Sequence, residues 1–199
     1  MKTTYLHSKK IIAIPTINLA CDCFARTVSW LANDGQPART EEQKLLITDI
    51  TTDYQTNRKP RDEELSLDHQ AKLGLTEITP VDYYQVQNSE LFFTNPYPVF
   101  IAIRTQIRES PYNYFVLNLV YGKKTHGIGI IKRGTEFQVF DKAKSGPFKL
   151  EERILELAFS TPLTLFQVIP YQRTPQVLRP LPAGVTKASP LLKRRRLEK

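Results

Sequence analysis

Three residue types in this chain could together do covalent chemistry at a carbonyl: a cysteine, a histidine and an aspartate. The chain's only two cysteines stand one residue apart in Cys21-Asp-Cys23-Phe-Ala-Arg-Thr-Val-Ser-Trp30, and its only tryptophan follows seven residues after the second. The stretch has helical spacing, with Phe24, Val28 and Leu31 recurring at three and four residues. A cysteine in the first turn of a helix sits where backbone N–H groups and the helix dipole favour negative charge, which lowers a thiol's pKa and offers donors to an oxyanion. Such a nucleophile needs a base, and the base needs an orienting partner. His126 opens one alternating stretch, HGIGIIKRG, and Asp141 closes the next, TEFQVFDK, after a tight turn at Arg133–Gly134. Two antiparallel strands joined there make His126 and Asp141 cross-strand neighbours. Gly127 and Gly129 leave room beside the histidine for another backbone or a substrate.

The elements that must position these residues come in two blocks. An extended lead-in at 9–17 precedes helices at 21–35, at 40–55 with a Thr40/Gln43 capping box, and at 66–75 closed by Gly74. A polar loop covers 58–64. The period then changes to strand-like alternation at 97–105, 114–122, 126–134 and 135–142. An amphipathic helix at 148–160, with Leu150, Ile154, Leu157 and Ala158 on one face, leads to a last strand at 163–172. Helices followed by an antiparallel sheet make the fold class α+β. The Tyr-, Phe- and Pro-rich stretch 76–96 reads as a surface lid.

Composition bounds the rest. The 199 residues fit one domain, 1–172, and a tail, 173–199, with four prolines and no periodicity. Eight of the 28 Lys and Arg and one of the 20 acids lie in that tail, so 20 basic and 19 acidic residues leave the body near neutral despite a net charge of +8. Nucleic acid is therefore not an expected partner of the domain. The KRRR run at 193–196 reads as a solvated end, a contact for anionic lipid or a nuclear localisation signal. No metal is expected, since His7, His69 and His126 are scattered and no C-x2-C occurs; no cofactor is implied. Two cysteines do not make a disulfide framework and suggest a reducing compartment. The apolar runs are too short for a membrane helix, and IIAIP is no signal peptide. His7 and His69, in polar surroundings, read as surface residues, and Trp30 as packing beneath the helix.

The order of Cys, His and Asp, each in this local setting, resembles the papain-like clan, and specifically the YopT/AvrPphB family of bacterial effector cysteine proteases. The stretch Cys23-Phe-Ala25-Arg26-Thr27-Val-Ser-Trp30 is similar to that family's nucleophile segment at the cysteine, the small residue, the hydroxyl residue and the tryptophan; it departs at Arg26, where the family is apolar. His126 with its glycines, the hairpin, Phe140-Asp141 and the Gly146-x-Phe148 turn resemble the second block. The two blocks cover about a quarter of the chain. The resemblance implies a papain-like fold, N-terminal helices carrying the catalytic Cys23 packed on a C-terminal antiparallel sheet, with His126 as base, Asp141 as its partner and Asn18 in the oxyanion hole. It also implies a host protein as substrate and secretion by a bacterium into the host cytosol. Two further readings stay open: a deamidase or transglutaminase on the same triad, and a non-catalytic interaction domain with a basic tail.

Overall fold

A computed structural model describes residues 6–8, 22–56, 65–79, 83–85, 96–121, 124–146, 148–158, 163 and 165–174. The elements in chain order are β1 (Leu6–Ser8), α1 (Cys23–Ala32), α2 (Glu41–Thr56), α3 (Leu67–Leu73), β2 (Leu75–Glu77), β3 (Tyr83–Gln85), α4 (Tyr97–Glu109), β4 (Tyr114–Tyr121), β5 (Lys124–Arg133), β6 (Glu136–Phe140), α5 (Leu150–Ala158) and β7 (Leu165–Arg173). The class is α+β, and every described strand pairing is antiparallel. The sheet runs β1-β3-β7-β4-β5-β6, with β2 also paired to β7.

Strand alternation sends the two faces of this sheet into two cores. Phe115, Leu117 and Leu119 of β4, with Ile128 and Ile130 of β5, pack with Ile103 and Ile107 of α4 and Ile154 of α5. The intervening Val116 and Ile131 pack with Val28 and Leu31 of α1, Ile50 of α2 and Leu73 of α3. Helices therefore cover both faces, and α1 lies along β5.

The helical starts are locally encoded. Thr40 and Gln43 form the reciprocal capping box, with the Gln43 N–H donating to Thr40 Oγ1 at 3.2 Å and the Thr40 N–H to Gln43 Oε1 at 3.1 Å. Gly74 ends α3 at φ +64°, the left-handed conformation glycine adopts without penalty.

Four expectations are corrected. Residues 97–105 are helical, not a strand. Val99, Ile101 and Ile103 alternate as in a strand, but Phe100, Ile103 and Ile107 also repeat at helical spacing, and Pro98 suits a first turn. The buried side decides: Phe100 and Ile107 are in the core and Ile101 is exposed. Within 76–96, Thr76 and Glu77 belong to β2 and Tyr83–Gln85 form β3, so these are sheet strands rather than a lid; residues 80–82 and 86–95 lie outside the described residues. His69 is buried, not on the surface: its ring is within 2.8 Å of Ser66 Oγ and 3.1 Å of Asp49 Oδ2, between α2 and α3. Arg173, assigned to the tail, completes β7 and donates to the Ala32 carbonyl at 3.1 Å. The lead-in at 9–17, the loop at 58–64 and the tail from 175 onward lie outside the described residues.

The helix–sheet contact is closest at the two glycines of β5. A Cβ on Gly129 would meet Trp30 at 3.0 Å and Thr27 at 3.1 Å, whereas one on Gly127 would meet Phe24 and Thr27 at ordinary contact distances of 3.5 to 3.8 Å. Gly129→Ala should destabilise the fold by about 1–3 kcal/mol through overpacking, while Gly127→Ala, at ordinary contact distance, should cost less. Urea unfolding of the two variants checks this, and equal losses would contradict it.

Candidate active site

Helix α1 starts at Cys23, with Asp22 at the capping position. The Asp22 side chain does not cap. It pairs instead with Arg26 one turn on and with Lys142, just beyond β6. Arg26 is the one exposed residue of a helix whose other nine are buried. The apolar-to-Arg departure at this position thus faces solvent and leaves the packing of α1 unaffected. Cys23 is itself 3% exposed. The first intrahelical bond runs from the Arg26 N–H to the Asp22 carbonyl at 3.0 Å, so the N–H groups of Cys23, Phe24 and Ala25 lie ahead of the helical ladder at its positive end.

The start of α1 meets β5 at Gly127. The backbone Cα and N of Phe24 lie 3.5 and 3.7 Å from the position of a Gly127 Cβ, and the Thr27 hydroxyl donates to the Gly127 carbonyl at 3.3 Å. Cys23 and His126 each stand one residue before this contact. The glycines thus admit a helix, the first of the two uses their smallness allowed.

His126 and Asp141 come together, though not in the pairing expected. The turn is Gly134–Thr135, because Arg133 pairs with Glu136; Phe140 then pairs with Gly129. Continuing that register sets Asp141 against position 128, two residues along the strand from His126. The two are diagonal neighbours on one face, which their side chains span. His126 Nε2 donates to Asp141 Oδ2 at 2.8 Å. With the proton on Nε2, a neutral ring would carry its lone pair on Nδ1.

Asp141 is fully buried and has further donors. The Ala143 N–H reaches Oδ1 at 2.8 Å, and Arg153 Nε–H of α5 reaches Oδ2 at 2.5 Å. Burial pushes this carboxyl's pKa up. The His126 hydrogen bond and charge, with the Ala143 and Arg153 bonds, outweigh it and hold the group at about 2. Arg153 was not foreseen. It is three residues after Leu150 on a helix whose apolar face is buried, and a cation at a core-facing position signals a buried anion.

A groove of about 850 Å³ runs from this edge between α1 and α2. Trp30 and Phe140, stacked at 5.3 Å, line it together with Ile47, and Asp22 and Asp141 border it. Neither Cys23 nor His126 lines it. Asn18 and Cys21 lie outside the described residues. Among the described residues no three His, Cys, Asp or Glu side chains are grouped to hold a metal ion, and no helix is long and apolar enough to cross a membrane.

The chain is similar in structure to the Pseudomonas avirulence protein AvrPphB, with a TM-score of 0.49 and 11% sequence identity over 81% of this chain and 96% of that one. No model of a known protein family matches the chain, and no curated protein matches it in sequence.

The Asp141 carboxyl sets a stability profile. Its folded-state pKa lies below the unfolded value, so its pairing stabilises the fold above about pH 4 and is lost as pH falls through about 2. That window should cost roughly 2 kcal/mol. Denaturant unfolding of wild type and Asp141→Asn at pH 6, 4 and 2.5 should show their difference shrinking as the acid range is entered. A constant difference would contradict the pairing.

Proposed function

We propose that the chain is a thiol hydrolase of the cysteine-peptidase type, with Cys23 as nucleophile, His126 as general base and Asp141 as the group that orients the imidazole. The approach of Phe24 to Gly127 supports this reading, because Gly127 follows directly in sequence on a histidine held by a buried carboxylate.

The chemistry follows from the roles. Nδ1 of His126 takes the Cys23 thiol proton, and the thiolate attacks the substrate's carbonyl carbon. The resulting oxyanion is stabilised by the N–H of Cys23 at the positive end of α1, together with the Asn18 side chain. His126 protonates the leaving amine as the C–N bond breaks, which leaves a thioester. Water, deprotonated by His126, then attacks the thioester and releases the acid and the thiol. Asp141 holds Nε2–H throughout and stabilises the imidazolium while it exists. The sequence resemblance supports a host protein as substrate and delivery by a bacterium into the host cytosol. The basic run at 193–196 suits contact with anionic lipid.

The 3% exposure of Cys23 favours a second reading, in which the thiol is core packing in a non-catalytic interaction domain. Reactivity separates the two. An epoxide inhibitor of papain-type enzymes should add once, to Cys23, at neutral pH, with the adduct located by intact mass and peptide mapping. His126→Ala should slow that labelling about 10²- to 10⁴-fold, the range of a lost general base. No adduct on Cys23, or labelling indifferent to residue 126, would favour the packing reading and end the proposal.

A further inference from the structure

The Asp141 Oδ2 atom that accepts from His126 also accepts from Arg153, and the guanidinium is held at both ends. Its Nε–H meets Asp141 at 2.5 Å and its Nη1–H meets Glu156 Oε2 at 3.0 Å. Glu156 is in turn fixed by Lys144 at 2.7 Å. The Arg153 side chain is 10% exposed, and Asp141 is 0% exposed. A buried cation so placed has two effects. It fixes the rotamer of Asp141 that aims Oδ2 at the imidazole, and it opposes a second positive charge on the other donor to that oxygen.

We infer that Arg153 is a positioning residue for the His126 base: it holds Asp141 in place and sets a fixed cation on the same carboxylate oxygen, against any charge the ring takes up. The inference rests on the reading of His126 as the base of Cys23, but its effect falls on the imidazole and can be read there directly.

The charges linked to the ring through Asp141 and its neighbours come from three elements and their flanks. The carboxylate is Asp141, after β6. The cations are Arg153 on α5, and Lys142 and Lys144 after β6. Asp22 ahead of α1 takes up Lys142, and Glu156 on α5 takes up Lys144. Lys142 and Lys144 therefore already have acidic partners of their own, which leaves Arg153 as the cation bonded to the carboxylate that holds the ring.

The test uses the whole chain with Arg153→Gln, which keeps an N–H donor but removes the charge, and Arg153→Lys, which keeps the charge. His126 is titrated by NMR in each, and the rate of Cys23 alkylation by iodoacetamide is followed against pH in a Cys21→Ala background. Arg153→Gln should move the His126 midpoint upward, the direction expected when a nearby like charge is removed. The acid limb of the alkylation profile should move with it, and Arg153→Lys should stay near wild type. An unmoved midpoint in a folded Arg153→Gln protein, or equal shifts in both variants, would overturn the inference. If alkylation proves indifferent to His126→Ala, the thiol-hydrolase reading falls, while the NMR midpoint still decides what Arg153 does to the ring.

Discussion

The fold depends on how closely a helix can lie on a strand. Side chains normally hold a helix off a sheet; Gly129 of β5 lets α1 lie where a Cβ would crowd Trp30 and Thr27, and Gly127 meets Phe24 at ordinary contact distance. Thr27 then reaches the Gly127 carbonyl, and Trp30 settles over Gly129 and stacks on Phe140. Both ends of α1 are tied by charge as well. Asp22 pairs with Lys142 at the start, and Asp34, just beyond the last turn, accepts from Arg133 at 2.6 Å and from the Tyr114 hydroxyl at 3.0 Å. A helix pinned along its length has little freedom to move its first residue, and its first residue is Cys23.

The other half of the site is rigid for a different reason. Asp141 is buried as an anion, which is costly unless its oxygens are filled. Three donors from three places in the chain fill them: His126 of β5, the Ala143 backbone and Arg153 of α5. The carboxylate thus links the sheet edge to a helix on the opposite face from α1. The imidazole takes its orientation from that network, and the thiol takes its position from the glycine contact. The two constraints meet at adjacent residues of β5, His126 and Gly127, so a site assembled from distant segments rests on one dipeptide.

Much of this was legible in the sequence, for physical reasons. The His126–Asp141 contact survived an error in the turn. Moving the turn by one position shifts the pairing by two residues, which leaves both side chains on the same face, whereas a one-residue slip would have separated them. The capping box and Gly74 are local devices and were read locally. The failures share a cause. Residues 97–109 satisfy two periods at once, and only the packing of Phe100 and Ile107 against the sheet selects the helix. His69 sits among polar neighbours in sequence, but α2 and α3 close over it. Arg153 is visible as a cation on a core-facing helix position, but its partner, across a turn and on another element, is set by tertiary structure.

The most direct measurement of the central claim is thiolate absorbance near 240 nm against pH, in a Cys21→Ala background, for the protein with His126 and with His126→Ala. An ordinary cysteine ionises near pH 8.5 or so. With His126 in place, a thiolate signal should persist well below that pH, and the alanine variant should lose it. Superimposable curves would mean that Cys23 and His126 share no proton, and the catalytic account would fail.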